Sequence, residues 1–464
     1  MRAVRIDVEP FDFISYLELK CTKALNRHGY IKITGIIRQE DHEKYMAMAS
    51  QQTWVKVKAI SESNTMRYFF TGVLTGLWME KEGQVYVLTI EAKTGSSLLD
   101  IVQHTRSFQT GGTQYTEVID ICMEASAGQC VMLEKEDAAT EHFILQYQET
   151  DWEFLLRIAS YAGTVLVPED GIEGKKLYWG YKQFDVTDEV QADGYQMIQD
   201  YDWRKRREAV GLGETSLEDA ISYVVESREI YDLGENILFN GIKLVVGEID
   251  SWLEGQELYH RYHFMKKNKG VCLPTYNQSI SGISLKAYVL AVEKTVVKIQ
   301  IEEDENKDRC KSCWLDYATV YSTPDGTGWY CMPEPGDEVR MVIPDQHEEH
   351  AYVAGSVHLG AAGVRTDPDV KSWKNRQNKE VLFTKDSIIF RNNKGMSLEL
   401  SDQEGIKIIS DKDIIVQSDG DIQMKSQGAS VGLTAAESVL MQQGSAKIQI
   451  RDDINISGGK IYMN

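Results

Sequence analysis

Cys310 and Cys313 stand at CxxC spacing, Cys331 follows 18 residues later, and His347 and His350 lie beyond. Thiols and imidazoles so spaced are the donors of a tetrahedral zinc site or, in a βαβ setting, of a redox dithiol. Cys313, however, opens a strand-like run, and Cys331 sits inside the segment WYCMP. Ordinary strand and loop thiols are therefore expected, with no metal site. His260 and His263 form an HxxH pair within an alternating run, which sends the two side chains to opposite faces and away from a shared metal. Glu302, Glu303, Asp304 and Glu305 offer carboxylates for a cation or an acid–base pair. They fall between apolar runs with mixed facing, and a solvated loop is expected there. HExxH, GxSxG and glycine-rich phosphate loops are absent from the sequence. No catalytic residue, cofactor or metal ligand is expected, so the work of this chain falls to its surfaces.

Those surfaces belong to a folded, acidic chain. The 464 residues (52.7 kDa) hold 42% hydrophobic and 26% charged side chains, outside the range of disordered or fibrous proteins. Lys and Arg number 50 against 71 Asp and Glu, a formal charge of −21, which excludes a large cationic field for nucleic acid. Residues 381–464 hold 9 basic and 11 acidic side chains, so nearly all of the excess lies in the first 380. Glycine (36), tyrosine (23) and tryptophan (9) against 8 prolines favour strands and tight turns. The start, MRAVRIDVEPFDF, has charges where a signal peptide needs an apolar core, and no run approaches the ~18 apolar residues of a membrane span. Seven scattered cysteines make no disulfide framework and fit folding in a reducing cytoplasm.

Along residues 1–100, Thr53, Val55, Val57 and Ala59 share a face, Tyr68–Leu77 and Val85–Ala92 are strand-length, and Gly72, Gly76 and Gly83 mark bends or turns. Val118–Met123 reads as helix. So does TDWEFLLRIASYAG, with Thr150 as cap, Glu153 at the capping-box position and Gly163 as stop. Ile237–Ile249 and Glu257–Phe264 read as strands, and Leu285–Ile301, Cys313–Tyr321, Glu338–Ile343 and Ala351–Val357 suggest a small barrel such as an OB-fold, a topology that periodicity alone does not choose. In PEPGDEV, Pro335 and Gly336 make a tight turn into the Val339–Val342 strand, while Trp329 and Tyr330 supply apolar area for packing across that barrel or against another chain.

From Ile406 the period becomes eight: IKIISDKD, IIVQSDGD, IQMKSQGA, SVGLTAAE, SVLMQQGS, AKIQIRDD, INISGGKI. Ile406, Ile414, Ile422 and Ile454 occupy the first position. Ile408, Val416, Met424, Leu440, Ile448 and Ile456 occupy the third. Two inward residues per short strand, then a glycine-tolerant polar turn, is a β-solenoid rhythm. So narrow an apolar strip closes a core most readily when three chains wind around a common axis.

At this point the chain resembles the VgrG family, the trimeric spike of contractile injection systems, and the related hub and spike proteins of phage tails. The residues that carry the resemblance are FFTGVLTGL (Phe69–Leu77), YVLTIEA (Tyr86–Ala92), RSFQ (Arg106–Gln109), QYQETDWEFLLRIASYAG (Gln146–Gly163) and ELYHRYHF (Glu257–Phe264). They are joined by GTGWYCMPEPGDEVRMVI (Gly326–Ile343) and AYVAGSV (Ala351–Val357), with the octads after them. The resemblance implies a mainly β chain. Residues 1–283 would form a hub of two barrel-like subdomains with helical insertions, and 284–358 an OB-fold neck. Residues 359–384 would be a linker, and 385–464 a triple-stranded β-helix needle formed in the trimer.

The same resemblance implies a structural homotrimer that docks on the inner tube and baseplate proteins and pierces a target envelope. It would be capped by a PAAR-type tip protein and carry effector cargo. Assembly in the cytoplasm and delivery through the target envelope on firing are implied with it. Two departures bear on this. No lysozyme-like insertion separates the OB-like part from the needle, and no toxin extension follows Lys460. The missing insertion weighs against the alternative of a wall-degrading tail enzyme, and a receptor-binding tail fibre would be expected to carry a distal lectin-like domain after the octads. Phage tail, bacteriocin, anchored secretion system and extracellular particle remain open alternatives.

Overall fold

Alternating burial builds the hub strand by strand. In a computed structural model, which describes residues 5–48, 52–109, 111–182, 189–211, 216–309, 311–355, 367–457 and 460, the chain divides into two units, Met1–His358 and Leu359–Asn464. The first opens with β1 (Arg5–Glu9), β2 (Phe13–Ala24), β3 (Tyr30–Ile37), helix α1 (His42–Met48), β4 (Trp54–Ile60), β5 (Met66–Glu82) and β6 (Val85–Thr94). A helical insertion follows: β7 (Gln103–Phe108), α2 (Tyr115–Ser126), β8 (Gln129–Met132), β9 (Ile144–Thr150), α3 (Asp151–Ala162), β10 (Leu166–Pro168) and β11 (Lys176–Trp179). The sheet then resumes with β12 (Tyr195–Gln199), α4 (Tyr201–Ala209), β13 (Ile221–Ser227), β14 (Asn236–Phe239), β15 (Ile242–Glu254) and β16 (Glu257–Met265), followed by the single turn α5 (Lys267–Gly270).

The protein is mainly β. β1–β6 and β12–β16 make one antiparallel sheet of eleven strands, joined where Thr22 of β2 faces Asp250 of β15. Two cores lie against it, one built on Ile31, Ile33, Val55, Val57, Phe70, Leu88 and Ile90, the other on Val225, Phe239, Val245, Tyr262 and Phe264. The two barrel-like halves of the hub thus share a continuous sheet. A third core belongs to the insertion, where α2 and α3 pack around Phe108, Phe154, Ile158 and Trp179.

Helix α3 forms as its sequence specifies. The Glu153 amide donates to the Thr150 hydroxyl at 3.1 Å, the Thr150 amide donates to the Glu153 carboxylate at 2.9 Å, and Gly163 ends the helix at φ +67°. Three strand expectations need correction. The run Ile237–Ile249 is a hairpin, broken at Asn240 and Gly241, which take φ +49° and +70°; an Asn-Gly pair between apolar runs is the local signal for that turn. Leu285–Ile301 breaks in the same way at Lys294, φ +51°. Gly72 does not interrupt β5, and a Cβ there would lie 2.3 Å from the Lys93 carbonyl oxygen, whereas at Gly76 the pairing of β5 with β6 shifts register between Leu74 and Gly76.

The neck is an OB barrel. Strands β17 (Ile283–Glu293), β18 (Val296–Ile301), β19 (Trp314–Asp316), β20 (Glu338–Ile343) and β21 (Tyr352–Ala354) pair in the order β19-β18-β17-β20-β21, and Tyr317 bridges Val353 in parallel to close the ring. Its core contains Val289, Ile299, Val339 and Met341 together with Phe143 and Leu145 of the insertion, so hub and neck form a single unit. Cys313–Tyr321 supplies only the three-residue β19. Val357, at the end of the AYVAGSV segment, and Cys310 lie outside the described residues.

The second unit departs further from expectation. Strands β22 (Lys371–Lys374) and β23 (Glu380–Phe383) join β24 (Ser387–Arg391), β25 (Ser397–Ser401) and β26 (Gly405–Ile409) in a five-stranded antiparallel meander. The stretch read as a linker therefore contributes two strands; they are four residues each, and polar neighbours hide them. Residues 410–438 hold no strand, and β27 (Val439–Gln443), β28 (Ala446–Ile450) and β29 (Ile454–Ser457) form a second meander. The octads at either end of that stretch pair within the chain, and those within 410–438 do not.

Candidate assembly sites

Three places in the fold bring functional side chains together. The first is the joint between insertion and neck. Arg157, on the buried side of α3, uses all five of its N–H donors. Nε and Nη2 donate to Glu149 at 2.8 and 2.7 Å, and Nη2 also to the Leu145 carbonyl at 2.9 Å. Nη1 donates to Glu348 at 2.6 Å and to the Tyr161 hydroxyl at 3.2 Å. Burial alone would lower the Arg157 pKa, but the carboxylates of Glu149 and Glu348 drive it up. Beside it, Arg106 donates to Asp151 at 2.5 Å and to Gln146 at 3.2 Å, all three buried.

Asp304 and Glu305 belong to this joint; the burial of Asp304 corrects its assignment to a solvated loop, whereas Glu302, Glu303 and Glu305 are exposed as expected. Asp304 is buried and accepts from the Ser107 amide at 2.9 Å, the Ser107 hydroxyl and the Asn306 amide at 2.8 Å. Burial raises its pKa, and those hydrogen bonds offset part of the rise. Glu305 accepts from the Thr105 amide at 3.0 Å and contacts His104 Nδ1 at 2.8 Å. The strand that supplies Thr105 and Ser107 is β7, some 200 residues earlier, so periodicity around Asp304 carries no trace of it. Arg157 had a sequence signal: it is a charge inside the apolar stripe of a helix.

The second place is the neck loop. Gly336 sits at φ +91° in the turn Glu334–Asp337, and its amide donates to the Val289 carbonyl at 2.8 Å, where β17 bulges. Pro335 precedes it in the same turn. Trp329 and Tyr330 are exposed; they do not pack across the barrel, and the Tyr330 hydroxyl donates to the Lys294 carbonyl at 3.0 Å. Cys313 and Cys331 are free thiols, the first partly buried and the second exposed.

The third is the needle sheet. Cross-strand register places Trp373, Val381 and Phe383, Ile388 and Phe390, Leu398 and Leu400, and Ile406 and Ile408 on one face. The reverse face carries the Arg391–Glu380 ion pair at 2.6 Å and the side chains of Glu399 and Lys407. In the single chain the apolar face is open: Ile406 is 70% exposed. Ile414, Val416, Ile422 and Met424 are exposed along the strand-free stretch, and Ile454 is exposed further on. Ile448 pairs with Met441 on one side and Ile456 on the other. Leu440 faces Gln449 instead, and so lies on the opposite face from the octad partners it was grouped with.

Within the hub, His260 and His263 fall on opposite faces of β16. His260 is fully buried, with Nδ1 2.7 Å from the Ser251 hydroxyl, and His263 is partly exposed. Burial, with Lys23 and Arg67 adding repulsion, lowers the His260 pKa to about 3. Among the described residues no cluster of His, Cys, Asp or Glu could hold a metal ion, and no helix is long and apolar enough to cross a membrane.

The eleven-stranded sheet with its helical insertion, fused to an OB barrel, is similar in fold to solved proteins of secretion systems. The E. coli c3393 protein, described as a component of the type VI secretion system with structural similarity to T4 bacteriophage tail proteins gp27 and gp5, superposes with a TM-score of 0.52 at 12% identity. The match covers 76% of this chain and 99% of that one. The Francisella PdpA–VgrG complex matches in its half-lidded and lidless forms with TM-scores of 0.56 and 0.55, each at 9% identity. Each covers 87% of this chain, and 87% and 97% of the respective partners in the comparison. No protein-family model and no curated protein sequence matches the chain. At these identities the likeness is one of fold.

Proposed function

We propose that the chain is the structural subunit of a trimeric hub–spike in a contractile injection machine. In this reading the hub docks on the inner tube and baseplate, and the needle leads through a target envelope. The observation that carries it is the needle sheet: five strands with one apolar face open to water, followed by octads whose Ile, Val and Met side chains are also exposed. Soluble monomers rarely expose a contiguous apolar patch beyond a few hundred Å². Burial of each such side chain stabilises by roughly 1.5–3 kcal/mol, so three copies that turn these faces toward one axis gain a core none has alone. The VgrG-like fold of the first unit supports the same reading.

A PAAR-type tip protein, effector cargo and cytoplasmic assembly belong to the proposal, as does the absence of turnover. Light scattering on purified protein tests it: the expected mass is three times 52.7 kDa, and a clean monomer at micromolar concentration overturns it. Negative-stain imaging of particles with an antibody against this chain should label the tube end. A peptidoglycan zymogram should stay blank; a clearing band lost on boiling would make the chain an enzyme instead.

A further inference from the structure

We propose that the neck loop of residues 317–332 is the seat for a second copy of this chain, a contact separate from the needle. The proposal rests on the trimeric reading and names a particular surface for it. The loop leaves the barrel after Tyr317 and folds back on itself as a small hairpin. Ser322 bridges Gly328, the Thr323 amide donates to the Thr327 carbonyl at 2.9 Å, and the Trp329 amide donates to the Tyr321 carbonyl at 2.8 Å. At its turn the Asp325 carboxylate accepts from the Thr327 amide at 2.9 Å. At its base the Thr319 hydroxyl donates to the Trp329 carbonyl at 3.0 Å. The backbone is therefore set before any partner arrives, and little ordering entropy remains to be lost on contact.

On this frame the large apolar side chains face water. Val320 is 95% exposed, Tyr330 71%, and Tyr321 and Trp329 about half. Rigid aromatic anchors of this kind dominate protein interfaces. Charge selects the partner. Asp325 is the one ionised side chain between Tyr317 and Met332, in a chain where 26% of residues are charged and the net charge is −21. Like-charged copies repel wherever their carboxylates meet; an uncharged apolar patch is where they can touch. A basic partner protein would find its counter-charges elsewhere on the hub. Chain connectivity supplies the proximity. Only residues 356–366 lie between the described part of the neck and that of the needle, a span of at most ~40 Å. Three needles wound together thus hold three neck loops at high effective concentration.

The test uses the full-length chain with p-benzoyl-phenylalanine in place of Tyr330, and in a separate preparation in place of Ile172, which is also exposed but lies on the hub. Irradiation should give a covalent two-chain species from the neck position and not from the hub position, with the cross-linked peptide drawn from a neighbouring chain. Cross-links confined to the same chain, or equal yields from both positions, overturn the inference. In parallel, the double variant Trp329→Ser/Tyr330→Ser should exchange subunits between labelled trimers at least tenfold faster than wild type; an unchanged exchange rate counts against it. Light scattering on the wild type separates the two levels. A trimer without neck cross-links refutes this contact alone, whereas a monomer refutes the trimeric reading beneath it.

Discussion

Two buried side chains show how differently burial treats a base that is paired and one that is not. His260 has a hydroxyl on Nδ1 and no partner on Nε2, and stays neutral down to about pH 3. The unfolded chain takes up that proton near pH 6.5, so the unfolded state binds more protons between those values. Stability therefore falls as pH drops from 6.5 toward 3, by about 1.4 kcal/mol per unit for this group. His260→Gln removes the slope: its melting temperature should fall less between pH 7.5 and pH 5 than that of wild type, and parallel curves would refute the assignment. Arg157 is the paired case. Arg157→Met leaves the buried Glu149 and Glu348 without the cation they share, and should cost roughly 3–5 kcal/mol. Arg157→Lys should rescue little, because an ammonium cannot serve five acceptors in a plane. Denaturant unfolding at neutral pH reads both.

Helix α3 and the needle sheet make their own predictions at the scale of an element. Thr150 both caps the helix and donates to the Asp100 carboxylate at 2.6 Å. Thr150→Ala should lose about 1 kcal/mol from the cap and somewhat more from the second bond, again by denaturant unfolding. In the needle sheet the alternation fixes which neighbours are equivalent. Ile408 shares the apolar face with Leu398 and Phe390, and Lys407 shares the reverse face with Glu399. Ile408→Asp should therefore lower the melting temperature of the assembled protein sharply, with partial recovery as the pH falls and the buried carboxylates protonate. Lys407→Asp should change it little. Equal losses would mean that the open face is not the one that becomes buried.

For the whole molecule, the four cores of the hub and neck all fall within Met1–His358, and none draws on the needle. Removal of residues 367–464 should leave a folded protein whose far-ultraviolet circular dichroism is β-rich. Its trimer should dissociate at higher concentration than the full chain, as read by sedimentation. An unchanged dissociation midpoint would assign the assembly to hub and neck alone. Three copies together carry three times −21, so moderate salt should strengthen the truncated trimer by screening that repulsion.

The sequence by itself determined what is local. The capping box at Thr150 and Glu153, the stop at Gly163, the turn at Gly336 and the opposed faces of His260 and His263 depend on neighbours within a few residues, and each is legible as a pattern. The mainly β character follows from strand-length alternation for the same reason, whereas the OB topology of the neck is implied by the resemblance and not by periodicity. Tertiary structure decided partners. Asp304 reads as part of a solvated loop because the Ser107 amide and hydroxyl that hold it come from β7, far away in the sequence, and no periodicity encodes an acceptor's distant donor. Phe143 and Leu145 joined the neck core, and the hub halves fused through β2 and β15, by the same kind of long-range choice. The octads mark the other limit. Their period names the apolar residues, but the face each strand turns depends on which strand lies beside it. Within one chain the neighbour is a short antiparallel hairpin, which sets Leu440 away from Ile448 and leaves residues 410–438 without any strand to pair with.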